Sequence, residues 1–430
     1  MRRSLLFFVL AAGCFEPPCE SAAEPGGPFV PCAVPSLDAG RRDGGVDAGV
    51  IDAGRVDAGR LDAGRADAGV VDAGRVDAGF LTTSDAGVRV VDFGVVLLGD
   101  AGLSPLLELP VELTDEGFQL QLRNVGPDLD VFQVTRLVSP RGVVLASGRE
   151  ASLHRSRSFP GVNGTNVLVL ESDDVRAEWV PGRWRFLVES WEPKPTTAVE
   201  VKAFIKPRPP PGVQRLALNF FFSSSGGLTA ATAPTAPRLT EAMTGFRALF
   251  LDAGIALETP RLFDLPPGFT TITSPWDDDA GTPMPGRSLQ ALLRQSVVAP
   301  PGLNLFFVET LDYDPRVPPG AVLGVSSGVP GTTMTNGTGL SGVAILYDSA
   351  TFTPRMGEAD PLGFVLAHEV GHQLGLSHVF EFDGDVDNLS DTPRSGPLAN
   401  ENLMAPFAQD NRLVTPLQGV TLRRNPVVRP

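Results

Sequence analysis

The stretch LAHEVGHQLGLSH, Leu366 to His378, holds three of the four histidines in a chain of 430 residues. Asp360 and Pro361 stand before it. Aspartate is a favoured N-cap and proline a favoured first helical residue, so PLGFVLAHEVGHQL reads as one helix. His368 and His372 are four apart, which stacks their imidazoles on one helix face a turn apart. Two nitrogens placed in this way reach one ion at about 2.0–2.1 Å. Glu369 follows His368 by one residue and points roughly a quarter-turn away, where a carboxylate serves as a base without becoming a ligand. Gly375 is suited to φ > 0 and ends the helix as a structural turn. The chain then brings His378 back to the same ion as a third ligand. Three neutral imidazoles with one open position is the arrangement of catalytic zinc. A structural site would close the fourth position, and the three cysteines, Cys14, Cys19 and Cys32, all lie before residue 33. The competing reading, a helix with satisfied core histidines, needs donors and acceptors that a dry core rarely supplies.

The pattern His368-Glu369-x-x-His372-x-x-Gly375-x-x-His378 resembles the zinc signature of the metzincin peptidases. Met404 in NENLMAPFA matches the methionine turn of that family. SHVF after the third histidine, SDTP at 390–393, NLM at 402–404 and TPLQ at 415–418 resemble the pappalysin branch, over roughly the C-terminal fifth of the chain. Two features depart from that branch. No cysteine lies between His378 and Met404, and Pro406 occupies the place where a tyrosine often follows the methionine. The resemblance implies an α/β zinc protease domain in which His368, His372 and His378 hold Zn2+. It also implies Glu369 as general base and a protein or peptide substrate. Related proteases often carry structural Ca2+, which makes Asp383, Asp385, Asp387 and Asp391 in EFDGDVDNLSDTP candidate calcium ligands. This run is not an EF-hand, because Asn388 and Arg394 stand at its sixth and twelfth positions. A solvated acidic loop is the favoured reading.

Outward from the motif, the texture of the chain changes three times. The N-terminus MRRSLLFFVLAAGC has two arginines, a short apolar run and small residues, the pattern of a secretory signal over 1–13. LAAGC also resembles a bacterial lipobox, which would make Cys14 a lipidated first residue and attach the protein to a membrane. Cys19 and Cys32 would then remain to pair. The chain is thus expected to be exported, as a cell-surface or outer-membrane lipoprotein or, alternatively, in secreted form. From Leu37 to Gly79 an Asp-Ala-Gly unit repeats about every five residues. That period matches neither 3.6 nor 2, so 14–87 reads as a cysteine-containing N-terminus and disordered linker.

Residues 88–206 show short alternating runs cut by turn residues, which suggests an all-β sandwich. VSPRGVVL and PGRWRFLVES within it resemble the jelly-roll-like modules that accompany secreted peptidases. His154, alone there, reads as a surface residue. KPRPPPG, Lys206 to Gly212, is a stiff break. Beyond it, 213–430 alternates strand and helix as a mixed α/β domain. QRLALNFFFSS and IALETPRLF each read as one strand, and SGVAILYDS as a strand whose edge an extended peptide would join. The fold expected is therefore multidomain. The net charge of −15 argues against nucleic acid as a partner. The function expected is that of an exported zinc-dependent metalloendopeptidase. The alternatives are a surface lipoprotein binding module with a degenerate protease domain, and a zinc hydrolase acting on a non-peptide amide.

Overall fold

The computed structural model describes residues 80–83, 87–125, 130–147, 161–162, 164–171, 179–192, 197–274, 288–312, 322–347, 360–380, 387, 389–406 and 412–430. Residues 1–13, read above as a secretory signal, Cys14, the Asp-Ala-Gly repeat, His154, Asp383 and Asp385 lie outside the described residues. Over those residues the chain is mostly β with few helices, and two hydrophobic cores can be told apart.

The first core belongs to β1 (Phe80–Thr83), β2 (Arg89–Leu97), β3 (Leu107–Val111), β4 (Asp115–Asn124), β5 (Val131–Val138), β6 (Val144–Ser147), β7 (Gly161–Val162), β8 (Gly164–Leu170), β9 (Gly182–Ser190) and β10 (Ala198–Pro207). They form two antiparallel sheets, ordered β1-β2-β10-β4-β8 and β3-β9-β5-β6, with β7 beside β5. Side chains alternate along a strand, so every second residue faces the other sheet. Phe118, Leu120 and Leu122 of β4, with Val199, Val201 and Ile205 of β10, share a core with Phe132, Trp184, Phe186 and Val188 of the facing sheet. The intervening residues of β4 are polar, which ordinarily marks a solvated face. Gln119 and Gln121 are nevertheless only 1% and 4% exposed, because the second half of the chain covers that face.

The second half holds β11 (Gln214–Leu216), β12 (Leu218–Phe222), α1 (Pro237–Asp252), β13 (Ile255–Leu257), β14 (Arg261–Asp264), β15 (Thr271–Ile272), α2 (Leu289–Arg294), β16 (Leu303–Val308), β17 (Thr310–Leu311), β18 (Gly324–Ser326), β19 (Val343–Leu346), α3 (Leu362–Leu374), α4 (Pro397–Asn400) and α5 (Pro416–Arg424). Its main sheet runs β14-β12-β16-β19-β18 and is parallel except for β18, which lies antiparallel to β19. LNFFF, LNLFFV and VAIL are buried at every position, as in parallel strands covered on both faces. Phe221 stacks on Phe263 and Phe306 with centroids 4.9 and 4.6 Å apart, tying three neighbouring strands together. Helix α3 packs against α1, β18 and β19.

Three sequence expectations change here. QRLALNFFF is two strands, since β11 leaves the main sheet and pairs with β13. IALETPRLF likewise divides into β13 and β14 on either side of Pro260, whose missing N–H and fixed φ break a ladder. SGVAILYDS supplies β19, which lies between β16 and β18 and therefore offers no edge to a peptide. Among the described residues the sheet edge beside α3 is the three-residue β18, too short to show alternation in sequence.

The described residues of both halves belong to one compact unit. Lys206, at the end of β10, is 2% exposed. Its ammonium donates to Gln214 Oε1 (2.9 Å), Arg423 O (2.7 Å) and Asn425 O (3.3 Å), and also to Val428 O. Burial pushes its pKa down to about 7, with the charge of Glu116 acting against that shift. Arg424 of α5 pairs with Glu171 at 3.1 Å and Glu116 at 3.7 Å, adding charged contacts across the same boundary.

Candidate metal centre

The N-cap of α3 is Pro361 and not Asp360, so the helix starts one residue later than the sequence pattern indicates. Asp360, one residue further out, accepts from Leu362 N at 2.9 Å through its carboxylate. The same carboxylate pairs with Arg238 Nε of α1 at 2.5 Å, fixing the helix start against its neighbour. At the other end Gly375 has φ 109° and ψ 20°. Leu376 N donates to Gly371 O and Gly375 N to His372 O, both at 2.9 Å, the paired bonds of a Schellman turn. Glycine is favoured here by the positive φ, and a Cβ at Gly375 would also press on Leu168 Cδ2 of β8 at 2.9 Å.

This turn brings His378 back over the helix. Its Nε2 lies 3.2 Å from His368 Nε2 and 3.1 Å from His372 Nε2. His368 Nδ1 stands 2.7 Å from Leu403 O, and His372 Nδ1 stands 2.7 Å from Leu376 O. A carbonyl oxygen only accepts, so both Nδ1 atoms carry the proton and both Nε2 atoms present lone pairs. Burial holds the pKa values of His368 and His372 well below the ordinary 6.5, with neighbouring imidazole charge adding to the effect. Both rings are therefore neutral at pH 7. His378 Nε2 has at most one proton to offer and two acceptors beside it. A single cation between the three nitrogens satisfies all of them. Tetrahedral zinc with Zn–N of about 2.0–2.1 Å sets its ligand nitrogens about 3.3 Å apart, close to the spacing found. The donor set fits such an ion. Among the described residues these three form the one group of His, Cys, Asp or Glu side chains close enough to share a metal.

Met404 lies beneath the helix. A Cβ added to Gly371 would approach Met404 Sδ to 2.8 Å, so the thioether fills the space that glycine leaves beside His372. The turn carrying it is held from two sides. Asn402 Oδ1 accepts from Met404 N at 2.8 Å, and the Asn402 and Gln418 amides exchange two hydrogen bonds at 3.1 and 2.9 Å. Gln418 also completes a capping box with Thr415 at the start of α5. The sequence pieces NLM and TPLQ are thus one hydrogen-bonded unit, and its Leu403 carbonyl orients His368.

Glu369 is fully buried. Its side chain rests on Gly324 of β18, where a Cβ would lie 2.6 Å from Glu369 Cγ and 2.9 Å from Oε1. Gly324 is a site residue that sequence reasoning missed, because its strand is too short to read and its partner lies 45 residues away in the chain by number.

The candidate calcium ligands are only partly in view. Asp387 Oδ1 accepts from Leu389 N at 3.2 Å and from the Thr392 hydroxyl, and burial pushes its carboxyl up to about 6. Asp391 accepts from Thr415 Oγ1 at 2.9 Å and Leu417 N at 2.8 Å, so both its oxygens anchor the start of α5. The structure gathers neither aspartate into a metal-ligating group among the described residues. Asp383 and Asp385 lie outside those residues.

No family model matches the chain, and no curated protein sequence matches it. Among solved structures, metalloproteinase-II from Bacteroides fragilis is similar at 14% identity and a TM-score of 0.29, covering 54% of this chain and 63% of that one. The chain thus spans less than two thirds of that protein's length. A family two carbohydrate esterase from Clostridium thermocellum is similar at 11% identity and a TM-score of 0.15, over 55% of this chain and 67% of that one. Xylanase10C from Cellvibrio japonicus is similar at 12% identity and a TM-score of 0.17, over 43% and 35%. At TM-scores of this size neither the activity nor the fold of those proteins transfers to this chain.

Proposed function

We propose that the chain is an exported zinc-dependent metalloendopeptidase of metzincin type, most like the pappalysin branch, that hydrolyses peptide bonds in proteins. The observation that carries this reading is the convergence of three imidazole Nε2 atoms at 3.1–3.2 Å, with the Nδ1 atoms of His368 and His372 held by backbone carbonyls. When bound there, zinc supplies a Lewis acid that polarises a carbonyl and acidifies water near neutral pH. His368, His372 and His378 hold the ion, and the carbonyls of Leu403 and Leu376 keep the first two rings in the ligating tautomer. Glu369 accepts the proton of the attacking water at its carboxylate and hands it to the leaving amine. Its burial beside Gly324 keeps that carboxylate out of bulk solvent and in one place. Strand β18 pairs on one side only among the described residues, so an extended peptide can join the sheet there by main-chain hydrogen bonds. Cys14 acylation would tether the enzyme to a membrane through the Asp-Ala-Gly linker.

The test is metal analysis of the purified full chain together with a casein-cleavage assay. About one zinc per chain is expected. Cleavage should be abolished by a chelator and restored by zinc. A chain that binds zinc but cleaves no protein would reject the peptidase assignment while sparing the metal site.

A further inference from the structure

Residues 327–342, the connection from β18 to β19, lie between the β-sandwich and the C-terminal part of α3. On the sandwich side Gln119 Nε2 donates to Gly331 O (2.9 Å), Asn166 Nδ2 to Thr332 Oγ1 (3.1 Å) and Thr335 Oγ1 to Gln121 Oε1 (3.0 Å). On the helix side Gln373 Nε2 donates to Thr332 O (3.0 Å) and Leu340 O (3.2 Å). Gln373 Oε1 accepts from Ser326 Oγ at 2.9 Å and Ser327 Oγ at 3.1 Å. The Thr333 hydroxyl joins the two sides, 2.9 Å from Gln119 Oε1 and 3.1 Å from Asn425 Oδ1. Asn425 Nδ2 in turn donates to Leu374 O, at the last residue of α3 (3.1 Å).

Gln119, Thr333, Gln373 and Asn425 are 1%, 3%, 0% and 0% exposed. Water cannot replace their partners, so the network favours one arrangement. There is little slack, since a Cβ at Gly331 would lie 2.0 Å from Gln373 Oε1. Gln373 follows His372 directly, and Ser326 belongs to the strand whose Gly324 abuts Glu369. The network therefore grips both elements that carry the candidate chemistry.

We propose that the β-sandwich positions the metal centre, with Gln119, Thr333, Gln373 and Asn425 as positioning residues that set the end of α3 against β18. The inference rests on the reading of the three histidines as a metal site. It makes the sandwich part of the framework of that site instead of a spacer above a membrane.

The experiment uses the full chain loaded with Co2+ in place of zinc. It reads the cobalt d–d absorption, zinc affinity by chelator competition, casein kcat and KM, and the melting temperature. Thr333→Val keeps the shape of the side chain and removes the hydroxyl, while Thr333→Ser keeps the hydroxyl. Gln119→Ala removes the sandwich partner. Arg183→Ala deletes an exposed ion pair with Glu108 elsewhere on the sandwich and serves as a control. Thr333→Val and Gln119→Ala are expected to alter the cobalt spectrum, weaken zinc binding by up to about tenfold, the low end of what loss of a group bonded directly to a ligand costs, and lower kcat more than they raise KM. Thr333→Ser should restore the spectrum, and Arg183→Ala should leave it as in the wild type. If Gln119→Ala does not fold, the Thr333 pair decides. A lower melting temperature with an unaltered spectrum and zinc affinity in Thr333→Val would mean that the network is structural only, and the proposal falls. If the wild-type chain takes up neither cobalt nor zinc, the metal-site reading fails first and the inference fails with it.

Discussion

Replacing Gly324 with alanine probes the candidate general base without touching it. The new Cβ would stand 2.6 Å from Glu369 Cγ, 2.9 Å from Oε1 and 3.0 Å from Cδ. Carbon atoms rest at about 3.5–4.0 Å, so one partner must yield by about 1 Å. Strand β18 is held by its ladder to β19 and by the Ser326–Gln373 hydrogen bond. The glutamate side chain is the softer of the two and is expected to move. A displacement of about 1 Å at a reacting group costs on the order of 10²-fold in rate. The crowding itself costs about 1–3 kcal/mol of stability. The ligand side chains are unchanged, so zinc content should be as in the wild type. Hydrolysis of a fluorogenic peptide should show kcat down by about two orders of magnitude with KM little altered. Metal analysis and a thermal melt on the same sample separate this effect from misfolding. A folded, zinc-loaded Gly324→Ala protein with wild-type kcat would refute the reasoning, because the carboxylate would then need neither that position nor that neighbour.

Other substitutions test other parts of the site. Glu369→Ala should retain zinc by metal analysis and lose about 10²–10⁴-fold or more in kcat, since the proton acceptor is gone while the imidazoles remain. His372→Ala should lose both zinc and activity, and full zinc occupancy in that variant would remove His372 from the ligand set. Lys206→Met should destabilise the chain by about 3 kcal/mol or more in urea unfolding, because buried carbonyl acceptors lose their donor. The same residue predicts a pH dependence. Its folded pKa of about 7 lies below its ordinary 10.5, so the unfolded chain holds that proton more tightly. The stability contributed by this group is present above about 10.5 and is lost as pH falls toward 7, a slope that Lys206→Met should flatten.

Much of the candidate site was legible because it is local. Spacing of four on a helix puts His368 and His372 on one face whatever surrounds them, and a glycine three residues later permits the turn that returns His378. Asp360 before Pro361 places the helix start to within one residue, Pro361 being the N-cap and Leu362 the first helical residue. The change from short alternating runs to longer apolar runs separates two kinds of β structure at the level of texture. Strand division at Pro260 was visible in principle, because proline lacks the donor a ladder needs, but IALETPRLF reads as continuous when only hydrophobicity is followed.

The rest was settled by contacts between residues far apart in the chain. Alternation in QLQLRN predicts an inner and an outer face and cannot say that another domain will cover the outer one. Gln119 and Gln121 look like surface residues until the loop 327–342 lies against them. Lys206 reads in sequence as the start of the stiff proline break, yet it gathers acceptors from Gln214 of β11 and from α5 and the residues after it. Gly324 matters only because Glu369 comes to rest on it. Period and propensity act over a few residues, so the sequence by itself determined which side chains share a helix face and where that helix turns. Which polar face is buried, which strand forms the edge among the described residues and what holds the helix of His368 and His372 in place depend on packing between distant segments, and only the tertiary structure decided them.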